Sequence, residues 1–450
     1  MLILTTSNYM SVSPSPFLVS PSLDISSPKI ILDGEIALPS SKSESNRALI
    51  IEALCEKKCS LINLSAARDT KILQQLLTKF RDIEEQEENI RSNAKGRTAD
   101  NISLDLTLDV QDAGTTMRFL TAFCTIKNHP TLLKGTDRMH ERPIKELVLA
   151  LRELGAQITY EKNDGFPPLF IHGFSPESQQ QNISIQGNIS SQYISAVLMI
   201  APLLPKGILL EIIPPVSSEP YIKMTLELMQ HFGILHSWTE NRIIIPHQQY
   251  SPNQYKIESD WSAASYWYSM AAICSKSELF LKGLREQSWQ GDNRIAKMMK
   301  GLGIKTHYEK EGVRLQKTSS KRSPFKYDFT PCPDLAQTMA VLCAALGVEA
   351  HMTGLHSLKI KETDRLTALK IELAKFGAEI EIINDNELHI PVCQLHEPTE
   401  PLHTYHDHRM AMAFAPLALL FPITIESPEV VQKSYPTFWE DMQKMGFRVK

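Results

Sequence analysis

Leu147-Val148-Leu149-Ala150-Leu151-Arg152-Glu153-Leu154-Gly155-Ala156-Gln157-Ile158-Thr159-Tyr160 spells out one helix, one stop and one strand. Apolar residues keep helical spacing to Leu154, and Gly155 supplies the left-handed conformation that closes a helix. Residues 156–160 then alternate as a half-buried strand does, and a second strand, 169–172, follows after a turn. The same order returns at 224–232 with Gly233, 295–302 with Gly303, 366–376 with Gly377 and 438–445 with Gly446. A weaker copy at 70–80 lacks the glycine. The stops recur roughly every seventy to eighty residues, which makes about six copies of one unit. Mixed units with short loops predict α/β layers in which helices cover a curved sheet. Because 450 residues exceed what one core usually holds, two domains of three units each are expected.

Composition narrows the function classes. A hydrophobic share of 42% fits a globular chain, and a formal charge of -4 argues against a nucleic-acid surface. Basic groups that serve an anionic ligand must therefore be concentrated locally. Seven cysteines lie scattered without a CxxC pair, which reads as reduced intracellular thiols, with Cys55 and Cys59 as helix packing. No apolar run approaches the roughly 18 residues that span a bilayer, so a soluble protein is expected, with no membrane partner. Residues 1–28, rich in Ser and Pro, read as a loose tail, and residues 81–103, dense in charge, as a solvated insertion without chemistry.

Several junctions carry groups suited to anions. Residues 38–47 turn from an extended run (29–38) into a helix, placing Lys42, Ser43 and Arg47 at its mouth, where free backbone N–H groups favour negative charge. Asp112-Ala113-Gly114-Thr115-Thr116-Met117-Arg118 repeats that geometry, and Arg142 stands just before Pro143, expected in the first turn of the next helix. Arg142 alternatively pairs with Glu141 or Glu146. Ser190, Ser191 and Gln192 place neutral donors and acceptors at a further junction, fit to orient a polyhydroxylated ligand. Ser218 and Tyr221 open another unit, and residues 258–266 start a small-residue helix read as packing. Asp334, held between prolines and a helix start, is either a positioned carboxylate base or half of a capping box with Gln337. Lys361-Glu362-Thr363-Asp364-Arg365 and His406-Asp407-His408-Arg409 close the set. The two histidines lack a spaced third ligand, so no metal is expected.

In these stretches the chain resembles the 5-enolpyruvylshikimate-3-phosphate synthases of the shikimate pathway. Ser-Lys-Ser-x-Ser-Asn-Arg at 41–47, Ala-Gly-Thr-x-Met-Arg at 113–118, Glu-Arg-Pro-Ile at 141–144, Ser-Ser-Gln at 190–192, Pro-Asp at 333–334, Lys-Glu-Thr-Asp-Arg at 361–365 and Asp-His-Arg-Met at 407–410 occur in the family's order. The resemblance runs from about residue 30 to the C-terminus. It implies two domains, each of three βαβαββ units in an inverse α/β barrel, with the active site in the cleft between them. The boundaries implied are residues 1–40 plus 258–450 for one domain and 41–257 for the other.

The resemblance also implies roles. Shikimate 3-phosphate would meet Lys42, Ser43, Arg47, Ser190, Ser191, Gln192, Ser218, Tyr221, Asp334, Ser357 and Lys361. Phosphoenolpyruvate would meet Lys42, Gly114, Arg142, Gln192, Arg365, Arg409 and Lys433. Asp334 corresponds to the proton acceptor, and Glu362 and Lys42 stand close to the reacting carbons. The chain departs from the commoner pattern at Asp112 (Asn is usual), Phe119 (often Pro), Glu219 (often Lys) and Ser357 (often Asn). The implied protein is a cytoplasmic monomer without metal or cofactor. Its two substrates bring roughly six negative charges to the seven cations Lys42, Arg47, Arg142, Lys361, Arg365, Arg409 and Lys433. Competing readings are an enolpyruvyl transferase acting on UDP-N-acetylglucosamine, whose loop cysteine has no counterpart here, and a non-catalytic binding protein of the same fold.

Overall fold

A computed structural model of the chain describes residues 21–27, 31–93, 106–127, 129–175, 181–319 and 323–450. The described residues form a mixed α/β structure built on six sheets. Four of these have four strands in one common order: a parallel pair, then an antiparallel hairpin on its inner strand. In one, Leu106–Asp109 runs parallel to Thr131–Lys134, which pairs with Leu169–Phe174 and through it with Ala156–Tyr160. Strand Ile31–Ala37 heads another, parallel to Lys276–Lys282. The remaining sheets are a parallel pair, Ser60–Ile62 with Gln254–Lys256, and an antiparallel trio around Ser22–Ser26.

The glycine stops sit where the helix spacing placed them. Gly155, Gly233, Gly303, Gly377 and Gly446 all hold φ between 83° and 110°, a region a Cβ disfavours. At Gly377 a side chain would in addition meet the His396 ring at 2.6 Å.

Two expectations are corrected. The tail reading fails for residues 22–26, which pair with Ile423–Glu426 and Arg448–Val449 while Ile25 enters the core; residues 1–20 and 28 lie outside the described residues. The insertion reading fails for residues 81–93, because the helix of the weaker repeat runs on as Arg68–Asn93. Glu87 on its inner face is buried against His129 at 3.1 Å, so part of that charge-rich run packs. Residues 94–103 of that insertion, and residues 29–30 of the first strand, lie outside the described residues.

Buried apolar side chains form two clusters. One gathers Ile25, Leu32, Ile36 and Leu38 with residues between Trp261 and Phe447; the other spans Ala48 to Ile257. Helices apolar on every side, such as Trp261–Ile273, Ala336–Ala345 and Ser191–Ile200, are inside these clusters. The chain passes from one cluster to the other at residues 39–41 and 257–260. These passages lie side by side, with the Ser41 amide donating to the Glu258 carbonyl and the Asp260 amide to the Pro39 carbonyl, both at 2.8 Å. Among the described residues no helix is long and apolar enough to cross a membrane, and no group of three or more His, Cys, Asp or Glu could hold a metal ion.

Candidate active site

A polar pocket opens between the elements of the two clusters. Helix Lys42–Leu54 begins at its wall, capped by the Ser41 hydroxyl, which accepts from the Glu44 amide. Lys42 faces the pocket and pairs with Asp69 at 3.1 Å. Arg47, one turn on, does not reach the wall. Its guanidinium is buried and donates to Thr225 Oγ1 (2.7 Å), Ser195 Oγ (3.0 Å) and the Ser43 carbonyl (2.9 Å), with the Phe119 ring 5.4 Å away. Burial lowers its pKa to about 10, which leaves it charged at neutral pH.

Helix Gly114–Lys127 starts at a glycine because two guanidinium groups crowd that point. A Cβ on Gly114 would lie 2.6 Å from both Arg118 Nη1 and Arg142 Nη1. Arg118 donates to Gln192 Oε1 at 3.3 Å, and the Gln192 amide donates to Thr115 Oγ1 at 3.2 Å. Arg142 makes no ion pair among the described residues, and the buried Nε of both arginines has no partner. Glu141 pairs with Arg138 instead, and Pro143 precedes the helix Lys145–Glu153 rather than opening its first turn. Burial and then the neighbouring Arg118 lower the pKa of Arg142. Two poorly compensated cations over one cavity are a site for an anion.

Ser190 caps the helix Ser191–Ile200, accepting from the Gln192 amide, and lines the same wall. Ser218 and Tyr221 lie behind it. Ser218 adopts a left-handed φ of 57° and makes no side-chain cap; its amide donates to the Thr330 carbonyl. The Tyr221 hydroxyl donates to Asp292 Oδ1 at 3.2 Å.

Across the pocket the carboxylates stand among cations. Asp334 forms no capping box, because the helix Ala336–Ala345 begins beyond Leu335 and Gln337 is buried against Met410. Instead it pairs with Arg365 and Arg409, each at 3.0 Å, and with Lys361 at 3.8 Å. Burial pushes its carboxyl up, but Arg409, Lys361 and Arg365 together outweigh this and hold it well below the usual carboxylate range. Glu362 behaves likewise: burial raises it, and Arg365, Lys433 and Arg142 bring it well below its ordinary value. Arg365 is the hub, bonded to Asp407 at 2.7 Å and Glu362 at 2.9 Å besides Asp334. Lys433 lines an adjoining cavity with Arg142 and Glu362, and pairs with Asp112 at 3.1 Å.

The structure thus gathers Lys42, Ser43, Gly114, Arg142, Ser190, Gln192, Asp334, Ser357, Lys361, Glu362, Arg365 and Arg409 around one pocket. Arg47, Ser191, Ser218, Tyr221 and Lys433 are not on its wall. Sequence reasoning passed over Asp69, Thr115, Arg118 and His408 as wall residues. Arg118 could have been found, since it lies one turn beyond Gly114; Asp69 carried no signal. His408, singled out only for metal, is a buried imidazole whose pKa is driven well below its ordinary value by burial and then by Lys42. Of the seven cations, Lys42, Lys361, Arg365, Arg409 and Lys433 are already paired with carboxylates.

The model of the family described as EPSP synthase (3-phosphoshikimate 1-carboxyvinyltransferase) matches residues 27–442. A 3-phosphoshikimate 1-carboxyvinyltransferase of Bacteroides fragilis is 45% identical over 418 residues, covering 92% of this chain and 96% of that protein. One from Methanospirillum hungatei is 34% identical over 415 residues, covering 90% and 94%. In fold, the chain is similar to a solved EPSP synthase of Acinetobacter baumannii, with a TM-score of 0.74 at 20% identity over 95% of this chain and 99% of that one. With a family model covering most of its length and relatives matched nearly end to end, the chain belongs to the EPSP synthase (3-phosphoshikimate 1-carboxyvinyltransferase) family.

Proposed function

We propose that the protein transfers the enolpyruvyl group of phosphoenolpyruvate to the 5-hydroxyl of shikimate 3-phosphate, releasing phosphate. The observation that carries this reading is one pocket lined by an ionised carboxylate, Asp334, and by two arginines, Arg118 and Arg142, whose buried Nε atoms lack partners among the described residues. Both substrates are polyanions, and the cations supply the charge they need.

The chemistry follows from the pairing. The 5-hydroxyl must lose its proton as its oxygen bonds to the central carbon of phosphoenolpyruvate, while the methylene carbon gains one. Asp334 is the acceptor for the first proton, and Lys42 or Glu362 serves the second. Asp334 by itself is a weak base, because three cations hold its proton affinity down. Substrate phosphate and carboxylate groups compete for those cations, and every one drawn away strengthens the base. Expulsion of phosphate from the resulting adduct, with loss of a proton from the same methyl carbon, restores the double bond.

The same reading treats the two apolar clusters as domains, residues 1–40 with 258–450 and residues 41–257, each of three βαβαββ units with the pocket in their cleft. The common order of the four-stranded sheets supports it. The protein acts as a cytoplasmic monomer on small molecules alone. A coupled phosphate-release assay with shikimate 3-phosphate and with UDP-N-acetylglucosamine tests the function: turnover with the first is expected, and turnover only with the second overturns it.

A further inference from the structure

A carboxylate outside the pocket joins its two sides. Asp292 sits in the short turn Gly291–Arg294 and is 2% exposed. Its Oδ1 accepts from the Tyr221 hydroxyl at 3.2 Å, and its Oδ2 accepts from the Ser262 hydroxyl. Tyr221 packs with the cluster that runs from Ala48 to Ile257, whereas Ser262 opens the helix Trp261–Ile273 of the other. That helix was expected to do nothing but pack.

The hydroxyl of Ser262 has one proton. Because Asp292 takes it, a lone pair is left to accept from Arg409 Nη2 at 3.3 Å. The same Nη2 donates to Asp334 Oδ2 at 3.0 Å, and Nη1 donates to the Asp334 carbonyl at 3.2 Å. A chain of hydrogen bonds therefore runs from Tyr221 through Asp292, Ser262 and Arg409 to Asp334. We propose that Asp292 is a positioning residue, whose carboxylate locks Tyr221 on one side of the pocket to the Arg409–Asp334 pair on the other. It touches no reacting atom. Its burial and its two hydroxyl donors fix the orientation of both, and that is how a supporting group sets the geometry of a site. Asp334, Arg409 and Asp260 are the charged groups that act on it, together with the Ser262 hydrogen bond, and it acts in turn on Tyr221.

The inference rests on the function proposed above, and its test separates the two. Steady-state kinetics with both substrates would compare wild type with Asp292→Asn, Tyr221→Phe and the double variant. Asparagine keeps the size but turns one acceptor into a donor, so one hydroxyl must let go. The expected result for Asp292→Asn is a fall in kcat/KM for shikimate 3-phosphate of about 10- to 100-fold. Tyr221→Phe should reproduce much of this loss, and in its background Asp292→Asn should cost about threefold or less. Wild-type kinetics in Asp292→Asn, or losses that simply multiply in the double variant, overturn the proposal. If Asp292→Asn does not fold, the cycle of Tyr221→Phe with Ser262→Ala replaces it. Among the described residues these hydroxyls share Asp292 as their common hydrogen-bond acceptor, so independence between them overturns the proposal equally. A wild-type protein that neither binds nor turns over shikimate 3-phosphate overturns the function first, and the inference with it.

Discussion

Arg365 and Asp334 form an ion pair of 3.0 Å on the pocket wall, and Arg365 is itself anchored behind by Asp407 at 2.7 Å. The guanidinium cannot follow the carboxylate if Asp334 moves, so it acts as a fixed electrostatic brace. The candidate base is thus ionised at neutral pH and is weakened by its own neighbours until ligands compete for them.

Replacing Asp334 by Asn should lower kcat by about 100-fold or more, because the proton acceptor is gone. Arg409 and Lys361 would then lose their carboxylate partner and Arg365 one of its three, which should cost about 2 kcal/mol of stability. Inorganic phosphate should restore more thermal stability to the variant than to wild type. A variant as stable as wild type, or one with near wild-type turnover, would return Asp334 to a passive role.

Arg142→Gln should separate binding from stability. The wild-type guanidinium lacks an ion pair among the described residues and stands against Arg118, so removing it relieves a buried charge. The thermal midpoint of the empty protein should equal or exceed wild type, while KM for phosphoenolpyruvate rises about 10- to 100-fold. Unchanged KM would remove Arg142 from the anion site.

Gly114→Ala should disturb the same pair from the other side. Its Cβ would press on the Nη1 atoms of Arg118 and Arg142 at 2.6 Å. Both are ends of flexible side chains, so the fold should survive with little change in thermal midpoint. Displacing them should raise KM for phosphoenolpyruvate about tenfold; a crystal structure with both guanidinium groups unmoved would contradict the account.

Glu44 should make stability depend on pH near neutrality. Burial pushes its carboxyl up to about 7, with the Glu258 charge adding to this, against the Tyr255 hydroxyl and Arg285. A carboxyl whose folded pKa is raised binds more protons folded than unfolded between about 4.5 and 7. Stability is therefore greatest below that window and falls as pH rises through it, by about 3 kcal/mol. Glu44→Gln should remove this slope in urea unfolding measured from pH 5 to 8; a slope equal to wild type would show that Glu44 ionises normally.

The sequence by itself determined the five glycine stops and several of the charged groups that line the pocket. Helix spacing closed by Gly155, Gly233, Gly303, Gly377 and Gly446 is legible because a left-handed stop is a local requirement, and all five hold positive φ. Lys42 and Arg409 stood out as charges at helix mouths, Arg142 and Asp334 kept a structural alternative, and Arg365 was singled out only through the family resemblance. The helix that continues to Asn93 was not, because its charge-rich surface hides the one buried pair, Glu87 with His129.

What only the tertiary structure decided is which charges meet. Asp334 could have capped its helix, but residues 27 to 75 positions away, Lys361, Arg365 and Arg409, close on it instead. Arg47 was expected on the wall, yet Thr225 and Ser195 hold it behind. Asp292 gave no sign in the sequence at all, since its partners Tyr221 and Ser262 come from distant elements. The physical reason is range: propensity, caps and turns are set within one or two helical turns, whereas pairing and burial depend on distances that exist only once both cores have packed.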